Sequence, residues 1–180
     1  MHTKIFYKGI FYTCLASLFW GIPQPLFFNE LKFVSAIEIA FHRGLWSFIF
    51  LITAITFLGK IGDFYDIFLS YKKLLVLSFT AILISVNWTG FILSVSLNRV
   101  QDAAMGYYLT PLVSIGLGYF FLNEKISPLK LLSVLIMIIS IIYLIYTLNT
   151  IPFLAMLIGT TWGIYGLLRK QIKVSSEIGL

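Results

Sequence analysis

Glu38, His42 and Arg43 are the residues of this chain best equipped for chemistry, and they sit near the outer end of a strongly apolar stretch. Glu38 and His42 are four apart and share one helical face, with Arg43 beside it. A charged side chain at the centre of a hydrocarbon layer costs roughly 2.5–3.5 kcal/mol on insertion scales, so Arg43 must reach a partner, a cavity or the interface. Two readings are open. In one, Arg43 snorkels to the outer surface with Glu38 as its counter-ion. In the other, it forms a cationic wall of a solute path, and Trp46, one turn deeper, offers an aromatic face.

Other polar and aromatic groups fall inside apolar runs. Pro23 and Pro25 flank Gln24 just after Trp20-Gly21, and two prolines so placed free backbone carbonyls, which a membrane tolerates only against protein or a wet cavity. This reads either as a packing kink or as part of a cavity. Asn87-Trp88 lies near the centre of a third run, where an amide needs hydrogen-bond partners on another helix or in a cavity. A fourth run opens with Gln101 and Asp102, continues through Tyr107-Tyr108, and should bend at Thr110-Pro111. Rings and amides of this kind line sites for organic solutes, although most single aromatics in such a chain are belts or packing.

Enzyme chemistry finds no support. The chain has no His-Glu-x-x-His site, no Gly-x-Ser-x-Gly elbow, no phosphate loop and no intramembrane aspartate pair. His2 and His42 are too far apart to read as a metal pair, and no cofactor motif is present. A single cysteine, Cys14, excludes an intramolecular disulfide.

The elements that must position these residues are set by composition. Of 180 residues, 59% are hydrophobic and only 11% charged, with a mean hydropathy of +0.96. A water-soluble domain carries about 25% charged residues, so the chain is expected to be an all-α membrane protein, a polytopic helical bundle whose principal partner is the lipid bilayer. Apolar runs of roughly 20 residues match the thickness of a bilayer core. Spans are expected at 7–28, 36–58, 74–97, 103–122, 128–148 and 152–168. Gly59-Lys60, Asn98-Arg99, Asn123-Glu124 and Asn149-Thr150 mark breaks, with Ser127 a candidate N-cap before Pro128. The connector 60–73 reads as a short interfacial helix with Ile61, Phe64 and Phe68 on its apolar face. No small-x-small cleavage site follows the first run, so it is expected to stay as a helix.

The net charge of +6 does not point to nucleic acid, because the basic residues lie in short clusters between the apolar runs. Lys4, Lys8, Lys60, Lys72, Lys73, Lys125, Lys130, Arg169, Lys170 and Lys173 fall on one side, and only Lys32 and Arg99 on the other. Ten against two places both termini in the cytoplasm by the positive-inside rule.

A repeated word gives the organisation. Trp20-Gly21-Ile22 returns as Trp162-Gly163-Ile164, and around it Leu15 aligns with Leu157, Ser17 with Gly159 and Leu26 with Leu168. Ser17-x-x-x-Gly21 and Gly159-x-x-x-Gly163 are small-residue contact motifs, for which packing is the favoured reading. The first copy runs outward and the second inward, the arrangement of an inverted repeat.

The ordered set Glu38 to Ser47, Asn87-Trp88, Gly106 to Val113 and Gly118 to Lys125, closed by Tyr165 to Lys170, resembles the RarD-type branch of the EamA family, within the drug/metabolite transporter superfamily. The resemblance implies secondary transport of small organic metabolites or drugs by alternating access, with relatives commonly labelled chloramphenicol-sensitivity proteins. It also implies ten helices in two inverted halves around a central cavity. By analogy Trp20, His42, Arg43, Trp46, Asn87, Trp88 and Tyr107 are the substrate-binding candidates, and Glu124 takes a cytoplasmic structural role. Residues 1–148 correspond to one five-helix repeat and 149–180 to the start of the inverted second. On that mapping the chain is a truncated, non-transporting remnant, one piece of a split transporter whose second chain supplies the missing helices, or a homo-oligomer. Its location is a cell inner membrane.

Overall fold

The computed structural model describes residues 2–148, 151–172, 174–175 and 178–179. The expected Asn149-Thr150 break, Lys173 and the side chain of Lys4 lie outside the described residues. The helices are α1 His2–Gly21, α2 Pro23–Glu30, α3 Ala36–Phe57, α4 Ile61–Phe68, α5 Tyr71–Ser96, α6 Val100–Leu122, α7 Pro128–Leu148 and α8 Phe153–Gln171. Five segments are long and apolar enough to cross a membrane: α1 with α2 (Phe6–Glu30), α3, α5, α6 and α7. The chain is a multi-pass helical membrane protein.

Each break has a backbone cause. The first span divides at Ile22 because Pro23 and Pro25 have no N–H for the carbonyls one turn earlier. The bond across the joint, from Leu26 N–H to the Ile22 carbonyl, is stretched to 3.5 Å. Gly59, Asn98 and Asn123 adopt positive φ of 68°, 56° and 52° just past α3, α5 and α6, the left-handed conformation that closes helices and that glycine and asparagine accept best. After Asn123, the Glu124 N–H reaches back to the Gly118 carbonyl at 3.1 Å. Ser127 caps α7 as expected, its Oγ accepting from the Lys130 N–H at 3.4 Å. Pro111 does not end α6, which continues through it.

Helix α4 forms in the expected connector, and Phe64 and Phe68 lie together on one face, their rings 5.4 Å apart. Ile67 is buried, Ile61 and Phe64 are half-buried, and Phe68 points outward. A step of three residues from Phe64 meets the neighbouring helices where a step of four would not.

Helix α8 lies at the centre of the bundle, packed along α5 and α6. Its positively charged last turn, Arg169 and Lys170, goes with its place outside the five apolar spans. Ala155 and Ile158 are fully buried there. The core gathers Ile158 with Phe28, Ile39, Phe91, Ile92, Val95 and Ala103, where the α2–α3 and α5–α6 turns meet. By contrast every described side chain of α1 from Phe6 to Gly21 is exposed, and no described residue of α7 is buried.

The α8 interface depends on missing side chains. A Cβ on Gly159 would stand 2.6 Å from Leu109 Cβ, and one on Gly163 would stand 2.5 Å from Val113 Cγ1. From the other side, a Cβ on Gly106 would meet Ile158 Cβ at 2.7 Å. Small residues let the two backbones approach where lipid supplies no hydrophobic drive, so the expected packing motif in α8 is realised. Its counterpart in α1 is not: a Cβ on Gly21 would meet nothing within 4 Å.

Candidate transport site

The proline break in the first span and the turn into α3 leave a cleft of about 820 Å³ between them. Phe19, Pro23, Gln24, Phe27 and Phe28 form one wall. Positions 38, 42 and 46 of α3, and beside them 39, 43 and 47, form the other, because residues four apart stack on one helical face. Glu38, His42, Arg43, Trp46 and Ser47 therefore all open into it.

Arg43 is the arginine of that surface, and no described lysine lines the cleft. Its guanidinium carbon lies 4.1 Å from the centre of the Trp88 ring, a cation–π contact. The aromatic face comes from α5 and not from Trp46, which is 65% exposed. Among the described residues Arg43 makes no ion pair, with Glu38 or any other acid. The expected counter-ion arrangement is thus not the one the structure adopts.

Trp20 and Tyr107 meet in a second recess of about 350 Å³, lined also by Ser17, Gly21 and Trp162. Trp20 packs edge-on against Tyr107 at 6.1 Å and against Trp162 at 6.2 Å between ring centres. Tyr107 continues to Phe91 and from there to Phe28, each step 6.1 Å. A chain of rings therefore joins the recess to the wall of the cleft.

Asn87 departs from the expected group. It is 2% exposed, and its Nδ2 donates to the Ile158 carbonyl at 2.8 Å and to Thr161 Oγ1 at 3.0 Å. Its partners are on another helix, one of the two outcomes its chemistry required, and it holds α8 to α5. Asp102 is likewise buried and paired with Arg99 at 2.8 Å, a fastening of the α5–α6 turn.

Phe28 and Trp162 were not among the sequence candidates, whereas Gln24 belongs to the proline segment that reads as a kink or as part of a cavity and here lines the cleft. For Trp162 the signal existed in the repeated word; Phe28 enters only because the proline break turns α2 inward. On the side of the α6–α7 loop, Glu124 pairs with Lys170 of α8, and its carboxylate occupies the space above Gly118. The hydrogen bond from Lys170, then the charge of Lys170, hold the Glu124 carboxyl below its ordinary range, against a smaller opposing effect of burial.

Comparison with known proteins identifies the family. The model of the EamA-like transporter family matches residues 7–146. An uncharacterized transporter of Bacillus subtilis, YojE, is 36% identical over 176 residues, covering 96% of the chain and 59% of the relative. An uncharacterized transporter of Vibrio cholerae is 36% identical over 173 residues, covering 96% of the chain and 57% of that protein. Protein RarD of Escherichia coli is 31% identical over 180 residues, covering 100% of the chain and 60% of that protein. The chain thus spans about three fifths of the length of these curated relatives. No solved structure gave a significant match.

Proposed function

The chain belongs to the EamA-like transporter family, on its RarD-type branch, and we propose that it serves secondary transport of small organic metabolites or drugs across a cell inner membrane. Residues 1–148 form one five-helix repeat and 149–180 begin an inverted second, with both termini cytoplasmic. Solute enters between the α2 break and α3, and the site opens alternately to the two sides. No step needs a catalytic residue or a cofactor.

One observation carries this reading. Arg43 stands on the wall of a largely apolar cleft, turned onto Trp88 and without a carboxylate partner among the described residues. A guanidinium that only anchored the helix would reach outward to water; this one is turned onto a ring of the neighbouring helix. Arg43, His42 and Trp46 line the path, Trp88 orients Arg43, and Trp20 with Tyr107 forms the aromatic inner end. Asn87 supports the assembly without touching solute.

The test is flux of radiolabelled small organic solutes, beginning with chloramphenicol, into membrane vesicles containing the chain. Arg43→Ala is expected to abolish flux and Lys73→Ala to leave it intact. Equal flux in Arg43→Ala and the unaltered chain would return Arg43 to an anchoring role.

A further inference from the structure

Ser47 borders two cavities. It lines the cleft between the α2 break and α3, and it also lines a smaller cavity of about 190 Å³ between α3 and α5. Trp88, whose ring carries the Arg43 guanidinium, lines the smaller one as well. Arg43, Trp88 and Ser47 thus form the partition between the two spaces. Beyond it the smaller cavity runs past Ile55 of α3 and Ala81 of α5 to Phe64 of α4.

One residue from outside these helices completes the lining, and it is Ile178. It follows α8, whose last turn is tied to the α6–α7 loop through Lys170 and Glu124, so it reaches the cavity from the α4 side. Arg169 fixes that approach. Its Nη2 donates to the Val174 carbonyl at 3.4 Å and to the Ser175 carbonyl at 3.3 Å. The Gly179 N–H closes a turn onto the same Ser175 carbonyl at 3.0 Å. Gly179 rests so close to the guanidinium that a Cβ there would stand 2.5 Å from Arg169 Cζ. The hold is nevertheless a weak one. Both arginine bonds are long and end on neutral carbonyls, and Arg169 Nη1 is buried with no hydrogen-bond partner among the described residues, which costs free energy.

We propose that the stretch carrying Val174, Ser175, Ile178 and Gly179 is a releasable plug. Ile178 closes the cytoplasmic end of the α3–α5 cavity, and Arg169 is the positioning residue that seats it. An isoleucine among apolar side chains is held by its removal from water, so the plug needs only the arginine to aim it. Seated, it seals the far side of the Arg43–Trp88 partition. Released, it opens that side to the cytoplasm. The inference rests on the proposed cytoplasmic placement of the termini but not on any solute being carried.

The test uses the full chain in membrane vesicles, with Cys14→Ser removing its single native thiol and Ser47→Cys supplying a new one. A membrane-impermeant maleimide is added from either side. Lys125→Cys, in the α6–α7 loop, reports separately which side is cytoplasmic. Labelling of position 47 from that side is expected to be slow, and to rise at least tenfold in Arg169→Gln and in Ile178→Asp. Labelling from the opposite side, through the cleft, should stay constant. Lys170→Gln breaks a neighbouring contact of the same helix and should leave both rates unchanged, which separates release of the plug from loosening of α8. If position 125 reacts from the outer face, the orientation is wrong, and the rates measured from the side on which it does react still decide the plug. A smaller rise in either variant, a rise from both sides, or an equal rise in Lys170→Gln would each overturn the proposal.

Discussion

The side-chain amide of Asn87 donates to the backbone carbonyl of Ile158, a residue 71 positions away on α8. The same amide also donates to Thr161 Oγ1, which itself lies 3.2 Å from the Ile158 carbonyl, so one polar group of α5 closes a small hydrogen-bonded cluster on α8. Interhelical hydrogen bonds of membrane proteins contribute on average about 0.6 kcal/mol, with a maximum near 1.7. Asn87→Ala is therefore expected to lower stability by about 1 kcal/mol, read from thermal unfolding in detergent. Asn87→Asp should cost more, because it replaces a donor with a buried charge facing a carbonyl. A loss as small for Asp as for Ala would show that the site admits water.

The close approach at Gly163 makes a second prediction. Gly163→Ala places a methyl group into Val113, a short side chain on a helical backbone with little room to yield. Overpacking of this kind costs about 1–3 kcal/mol. Val113→Ala in the same molecule should recover most of that loss, since the two sites share one space. Additive losses in the double variant would place the strain elsewhere.

Arg43 and Trp88 form a pair whose geometry distinguishes cations. Arg43→Lys keeps the charge but loses the planar face that lies over the indole. Flux is expected to fall several-fold in Arg43→Lys and further in Arg43→Gln, with Trp88→Phe intermediate because phenylalanine retains a weaker face. If Lys and Gln variants carry solute equally, charge at position 43 plays no part.

Glu124 and Lys170 give a signed pH dependence. The folded-state carboxyl is held below its ordinary value by the lysine, so its stabilising contribution is fully present above the ordinary carboxylate value. It is lost as the pH falls through the depressed value. Thermal stability should therefore drop at acid pH in the unaltered chain, and this component of the drop should shrink in Lys170→Gln. Identical acid limbs in the two would assign the effect to other groups.

Much of the fold was legible because membranes demand it. Apolar length located five of the six expected spans, the sixth (152–168) forming a helix that falls short of the apolarity of the others. Glycine, asparagine and proline located their ends; Gly59, Asn98, Asn123 and Pro23 all act where their backbone chemistry requires. The small-residue motif correctly anticipated tight packing for Gly159 and Gly163. Contacts between distant helices were another matter. Nothing in spacing could say that Arg43 would choose Trp88 over Trp46, or that Asn87 would find a carbonyl 71 residues on, since both depend on how helices rotate against one another. Trp162 could have been found, had the repeated word been read as a contact as well as a duplication.

Helix α8 is synthesised after α5 and α6, yet it stands between them, and those two touch each other far less than either touches it. They are joined by a turn of three residues, Leu97 to Arg99, and α8 fills the space between them. A hairpin of α5 and α6 that closed on itself would shut α8 out. Asn87 would then lose the Ile158 carbonyl and the Thr161 hydroxyl that satisfy its amide.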